Sequence, residues 1–199
     1  MRIIGILGGV ASGKSTVARQ LAKLGAGVLD ADGAGHEVLR MPLVEAAARR
    51  RWGEEIFGPD GHIDRQRLAR IVFADGLEAE EERRYLEQLT HPEIAKRIER
   101  QIDALAAAGA QAAILDAPLL IEAGWDGLCE KIVFVDAPRE ARLERAAARG
   151  WSEEKFAARE GVQESLDRKR ARADVIIDAS GPPERTLAQV ERFWASLVR

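Results

Sequence analysis

The 199-residue chain has a single cysteine, Cys129, and no asparagine at all. One thiol forms no internal disulfide, so the fold has to stand without a covalent staple. Without asparagine there is no N-K-x-D motif of the kind that reads guanine, which excludes a conventional GTP-binding switch even though 30–33 and 178–181 both fit D-x-x-G. No apolar run approaches the roughly 20 residues needed to span a bilayer. The N-terminal run stops at Gly8-Gly9. No positively charged start leads into a long apolar core, so no signal peptide is read, and a cytoplasmic protein without membrane association is expected. Net charge is only −3, which excludes the broad basic field of a non-specific nucleic-acid binder. Any anion must therefore be held locally. Internal repeats and low-complexity linkers are also missing.

What the chain does have is a series of five short apolar runs: Ile3 to Leu7, Gly27 to Leu29, Ala112 to Leu115, Ile132 to Val135 and Val175 to Ile177. Runs of this length separated by helical patterns predict an α/β fold, a mostly parallel five-stranded sheet with helices on both faces. A strand-helix-strand unit needs roughly 30 residues, and the first two runs fit that spacing. The much longer stretch before the third predicts an inserted helical module over 33–111, with 1–32 and 112–199 forming the core. Within the insertion, Asp64 is expected to cap a helix carrying Leu68, Ile71 and Val72. A second helix is predicted from Gly76 to near Leu89, and a third from Pro92 to Gly109, because proline suits a first helical position. Trp52, Phe57, Phe73 and Tyr85 read as the insertion's core, with lining of a substrate site as the alternative. A further helical pair, 138–149 and 152–172, is rich in arginine, and an amphipathic helix with Leu187, Val190, Trp194 and Leu197 closes the chain.

Gly8 to Ser15, "GGVASGKS", fits G-x-x-x-x-G-K-[ST] between a predicted strand and a predicted helix. That is the phosphate-binding P-loop, in which glycines turn backbone N–H groups inward and the following helix offers its positive end to the same anion. Gly9, Ala11, Ser12, Gly13, Lys14, Ser15 and Thr16 are the candidate nucleotide contacts, Lys14 reaching the outer phosphates and the Ser15 hydroxyl ligating Mg²⁺. The pattern names a donor site but no reaction, since switches, motors and kinases share it.

Each later strand ends at or beside an aspartate: Asp30 and Asp32, Asp116, Asp136, and Asp178. Ligands of open parallel sheets sit at this end. Asp136 and Asp178 read as strand-end caps, and Asp116 as a second candidate for Mg²⁺ or its waters. Asp32 opens the insertion and is the candidate base for an acceptor hydroxyl. A carboxylate is a weak base at neutral pH, but a loose phosphoryl transition state releases the hydroxyl proton late, so positioning dominates. Arg142, Arg145 and Arg149 recur at helical spacing and share one face. Arg145 and Arg149 are read as cations of a mobile lid over the migrating phosphoryl group, whereas Arg168, Arg170 and Arg172 read as a solvated face.

These motifs together resemble the dephospho-CoA kinase family, whose members phosphorylate the ribose 3′-hydroxyl of dephospho-CoA with ATP. The resemblance runs nearly end to end, through "GILGGVASGKSTVA", "VLDADGAGHEVL", "IDRQRLARIVF", "LTHPEI", "ILDAPLLIEAGW", "RLERAAARG" and "ADVIIDASG". It implies a nucleotide-binding core, a helical substrate domain over 33–111 and a lid at about 138–172. It also implies Asp32 as catalytic base, Lys14, Arg145 and Arg149 around the phosphates, Ser15 and Asp116 at Mg²⁺, and His91, Arg159 and Gln163 toward the substrate. ATP and dephospho-CoA are the implied partners, with no nucleic acid, membrane or obligate protein partner. His91 read from the residues alone is a helix cap before Pro92. Ala11 and Ala179 depart from the family pattern, where glycine and asparagine are usual. A nucleoside monophosphate kinase of the same architecture and a non-catalytic ATP-binding switch stand as the alternatives.

Overall fold

A computed structural model of the chain describes residues 1–74, 76–117, 120–121, 123–161 and 163–198. Pro118, Leu119 and Glu122 of the "DAPLLIE" stretch lie outside the described residues, as does Val162 of the arginine-rich segment. The chain divides into two compact units, Met1–Leu29 with Gln101–Arg199, and Asp30–Arg100.

The first unit is built on five strands: β1 (Arg2–Gly8), β2 (Gly27–Leu29), β3 (Ala112–Leu115), β4 (Lys131–Asp136) and β5 (Val175–Asp178). They form one parallel sheet in the order β2-β3-β1-β4-β5. All five expected strands are present; β1, β4 and β5 run slightly beyond the apolar runs. The helices in chain order are α1 (Lys14–Lys23), α2 (Ala31–Leu39), α3 (Pro42–Trp52), α4 (Arg65–Val72), α5 (Leu77–Ala107), α6 (Arg139–Ala147), α7 (Glu153–Gly161), α8 (Leu166–Ala171) and α9 (Pro183–Leu197).

Continuous apolar strands survive only where both faces are covered. Ile4, Ile6, Ile114, Val133, Val135 and Ile177 are accordingly buried, joined by Val17 and Leu21 of α1 and by Val190, Phe193 and Leu197 of α9. The register places Gly8 beside Val135, and Asp136 beside Asp178. β1 lies between β3 and β4, so the loop that follows it emerges where the strand order reverses, the ordinary ligand crevice of such sheets.

The second unit holds α2, α3, α4 and most of α5. Asp64 caps α4 as expected, accepting from the backbone N–H groups of Gln66 (2.8 Å) and Arg67 (3.1 Å). Its core gathers Ala48, Trp52, Ile56, Phe57, Leu68 and Val72, with Tyr85 and Leu86 packed alongside. The Trp52 and Tyr85 rings meet edge to face, 5.4 Å between centroids. Of the four aromatics expected in this core, Phe73 is the exception, being 57% exposed.

Two helical expectations are corrected. The predicted second and third helices of the insertion are one 31-residue helix, α5, which carries Pro92 in its interior. Interior proline removes a backbone donor and costs about 3 kcal/mol. Here Leu86, Thr90, Ile94 and Ile98 recur every four residues, and the last three are buried, so packing along one face outweighs the local break. The Thr90 hydroxyl donates to the Leu86 carbonyl at 2.8 Å just before the proline. His91 therefore lies inside a helix and caps nothing. The segment expected as one helix over 152–172 is likewise two, α7 and α8, because the Ser165 hydroxyl accepts from the Arg168 N–H and starts a new helix.

Candidate active site

The P-loop takes its shape from three residues in left-handed or otherwise positive-φ backbone: Gly8 at φ 153°, Ala11 at 58° and Gly13 at 109°. A Cβ at Gly8 would fall 2.6 Å from the Ser12 hydroxyl and 2.7 Å from the Val135 carbonyl, so nothing larger than glycine fits. Ala11 is the one non-glycine residue with positive φ among the described residues. Its methyl packs with Leu143 and Trp151 against the small cluster of Val10, Ala146 and Phe156. The departure from glycine is thus accommodated, at some backbone cost.

Lys14 curls back over the loop, and its Nζ donates to the carbonyls of Gly8 and Gly9, both at 3.0 Å. Burial is the largest influence on it and lowers its pKa from 10.5 to about 8; Asp116 opposes that shift, while Lys169, Arg142 and Arg149 add to it. Ser12 is fully buried, and its Oγ is the one buried side-chain oxygen or nitrogen among the described residues without a hydrogen-bond partner. Unmet buried hydroxyls are costly. No side chain caps α1, whose N-cap is Gly13, so its first N–H groups also face the loop without a side-chain partner.

The arginines divide by task. Arg142, expected on a shared face with Arg145 and Arg149, is 2% exposed. It pairs with Glu160 of α7 at 2.7 Å and donates to the Ala137 and Val10 carbonyls. Arg145 donates to the Ser12 carbonyl at 3.0 Å and to the Ala179 carbonyl at 2.6 Å, tying the loop to the end of β5. Arg149 is exposed yet close enough to act on Lys14. Arg159 stacks its guanidinium 4.4 Å from the centre of the Trp151 ring. Arg168, Arg170 and Arg172 pair with Glu164, Asp136 and Asp126, the surface role expected of them. Asp178 accepts from the Ser180 N–H and hydroxyl in a strand-end turn.

One contributor was missed from sequence. Lys169 is 1% exposed, donates to the Gln163 side chain at 3.3 Å, and acts on Lys14. Its signal lay in spacing, since Lys169 follows the half-buried Leu166 by three residues and so lies beside it on α8.

Asp116 follows β3 and lies within electrostatic reach of Lys14. Asp32 stands exposed in the first turn of α2, behind Asp30, whose carboxylate caps that helix by accepting from the Gly33 N–H at 2.7 Å. His91 is half-buried in α5; burial pushes its imidazole below the ordinary 6.5, against a smaller opposing pull from Glu87. Lys14, Ser12, Arg145, Arg149, Lys169 and Asp116 come together in the first unit. Asp32 and His91 belong to the second.

A parallel sheet whose central strand feeds a phosphate-binding loop, with a cationic helical pair seated on that loop, places the chain among the P-loop nucleotide-binding α/β proteins. The Dephospho-CoA kinase family model matches residues 2–184. A dephospho-CoA kinase of Symbiobacterium thermophilum is 44% identical over 197 residues, covering 98% of this chain and 80% of its own. Among solved structures, TT1252 from Thermus thermophilus matches with a TM-score of 0.83 at 36% identity, covering 98% of this chain and 97% of its own. A dephospho-CoA kinase from Campylobacter jejuni has the same fold, with a TM-score of 0.65 at 24% identity and coverage of 98% and 97%. The chain belongs to the dephospho-CoA kinase family.

Proposed function

We propose that the protein transfers the γ-phosphoryl group of ATP to the ribose 3′-hydroxyl of dephospho-CoA, giving coenzyme A and ADP. The observation that carries this, beside family membership, is the buried Ser12 hydroxyl without a partner, in a loop ringed by Lys14, Arg145, Arg149 and Lys169. Such a cradle is complete only with an anion in it.

In this proposal the N–H groups of Gly9 to Gly13, the Ser12 and Thr16 hydroxyls and Lys14 hold the phosphates. Arg145, engaged with two carbonyls, positions the loop, and Arg149 supplies the cation nearest the migrating group. Ser15 and Asp116 would hold Mg²⁺. Two oxygen donors suit a small hard cation whose remaining positions go to phosphates and water, and no group of three or more acidic, histidine or cysteine side chains competes for it among the described residues. When bound, Mg²⁺ neutralises charge on the phosphoryl oxygens.

The insertion over 33–111 serves as substrate domain and the helical pair over 138–172 as lid, with Arg159 and Gln163 on the acceptor. Asp32 accepts the hydroxyl proton, and His91, held neutral by burial, contacts the acceptor beside it. Helix contacts support their proximity: Gly35 faces Ile94, and Glu37 pairs with Arg97 at 3.1 Å. Both run in the same sense, so one turn back on each helix Asp32 and His91 lie toward the same end of the pair. The proposal includes action in the cytoplasm, where ATP is made and used, on small molecules alone.

The test is ADP release with Mg-ATP and, in parallel, dephospho-CoA, AMP, CMP or no acceptor. Release only with dephospho-CoA is expected. Asp32→Asn should lower kcat about 10²- to 10⁴-fold with ATP binding intact. Release with a monophosphate instead overturns the substrate, ATP binding without release favours a switch, and an unimpaired Asp32→Asn variant removes that residue from the mechanism.

A further inference from the structure

The second unit contains a pocket of about 360 Å³ lined by His36, Glu37, Leu39, Arg40, Ile63 and Arg65. Glu37 is engaged by Arg97. The side chains of His36, Arg40 and Arg65 have no hydrogen bond or ion pair to another described residue, so the pocket presents two guanidinium groups without ion-pair partners beside two aliphatic side chains. Stability does not account for this arrangement. Arg40 follows the last turn of α2, where a cation complements the helix dipole, but Arg65 is the first residue of α4, where a cation opposes it.

The pocket is in line with Asp32. Asp32, His36 and Arg40 are four residues apart on α2 and so lie along one helix face. At 1.5 Å rise per residue, His36 stands ~6 Å and Arg40 ~12 Å from Asp32 along the axis. An acceptor whose hydroxyl sits at Asp32 therefore runs its next groups past His36 toward the two arginines. In a nucleotide with a free ribose 3′-hydroxyl, the groups leaving from the neighbouring 5′ carbon are phosphates.

We propose that this pocket holds the diphosphate of the acceptor, with Arg40 and Arg65 on its oxygens and Leu39 and Ile63 beside the start of the pantetheine arm. Arginine is suited to this because its planar fork meets two phosphate oxygens at once. The pocket thereby selects an acceptor with a substituted diphosphate over a bare nucleoside. This assignment rests on the activity proposed above.

The experiment is steady-state kinetics of the full chain and of Arg40→Gln, Arg65→Gln and the double variant, with dephospho-CoA and ATP each varied. Because neither side chain holds another part of the described structure, all three should melt with the parent. The double variant is expected to raise KM for dephospho-CoA about 10- to 100-fold, the loss of one or two charge-assisted contacts. The KM for ATP and kcat should stay within about twofold. An unchanged KM for dephospho-CoA in the double variant, with the parent active, overturns the pocket alone; an equal rise in both KM values overturns it too, by placing the effect outside acceptor binding. A parent enzyme inactive on dephospho-CoA overturns the proposed activity and the pocket with it.

Discussion

Ala11 and Lys14 sit three residues apart in the same loop and are strained in different ways. Ala11 holds φ 58°, a left-handed conformation that costs an L-residue about 1–2 kcal/mol; its methyl recovers part of this by packing against the cluster of Val10, Ala146 and Phe156. Ala11→Gly should relieve the backbone by up to about 1 kcal/mol and raise Tm by about 2–4 °C. A lower Tm in thermal melts would mean that the methyl contacts outweigh the strain. Lys14 is strained electrostatically, since burial among other cations lowers its pKa to about 8. Bound phosphates favour its charged form, so ATP binding above that value has to take up a proton. The Kd for ATP should be steady below about pH 7.5 and climb above pH 8, toward a tenfold rise per unit. A Kd that stays flat to pH 9.5 would show that Lys14 is not the group titrating. Cys129 tells a plainer story: burial first, then Asp126, pushes its thiol up to about 12, so it remains protonated and unreactive at neutral pH.

At the scale of the element, α5 is the one helix whose local sequence argues against it. Pro92 leaves the Gln88 carbonyl without its i+4 backbone donor, while the buried residues Thr90, Ile94 and Ile98 hold the helix together across the gap. Pro92→Ala should restore that donor and stabilise the protein by about 1–3 kcal/mol, seen as a Tm rise of at least ~3 °C. An unchanged Tm would show that the surroundings already compensate for the missing bond. The segment over 152–172 behaves in the opposite way. There the Ser165 cap makes two helices where arginine-rich periodicity suggested one, and the break turns Lys169 inward while its neighbours remain in solvent.

At the scale of the molecule, stability is tied to acid through a set of surface carboxylates. Asp64, Glu82, Glu93, Asp174 and Asp178 all have lowered pKa values, held down first by backbone N–H groups at Asp64 and Asp174, by Arg51 at Glu82, by Lys96 at Glu93 and by Ser180 at Asp178. A lowered folded pKa means that the unfolded chain binds more protons, so the stability these groups add is complete above the ordinary carboxylate range and is lost as pH falls through their lowered values. Melts between pH 3 and 8 should therefore show a level Tm down to about pH 5 and a steep fall below about pH 4. Little loss at pH 3 would mean that other groups control the acid limb. Lys14 follows the same rule in a higher range: its lowered pKa means that the unfolded chain binds more protons between about pH 8 and the ordinary 10.5, so stability rises with pH there as the buried charge is relieved.

By itself the sequence determined whatever depends on neighbours along the chain. The five strands follow from short apolar runs, the α4 cap from Asp64, and the loop from eight consecutive residues whose backbone angles are local. The family was legible for the same reason, because its motifs are short and contiguous. What the tertiary structure alone decided depends on residues far apart in sequence. The Ser12 hydroxyl is buried beside Gly8 without a partner, and Arg145 reaches across more than a hundred residues to the Ser12 carbonyl. Arg142 is buried because Glu160 and two carbonyls receive it, and α5 runs through Pro92 because packing energy gathered along a whole face exceeds a local penalty. The pocket of Arg40 and Arg65 likewise forms only when α2 and the start of α4 are brought together, an arrangement that no periodicity in either helix specifies.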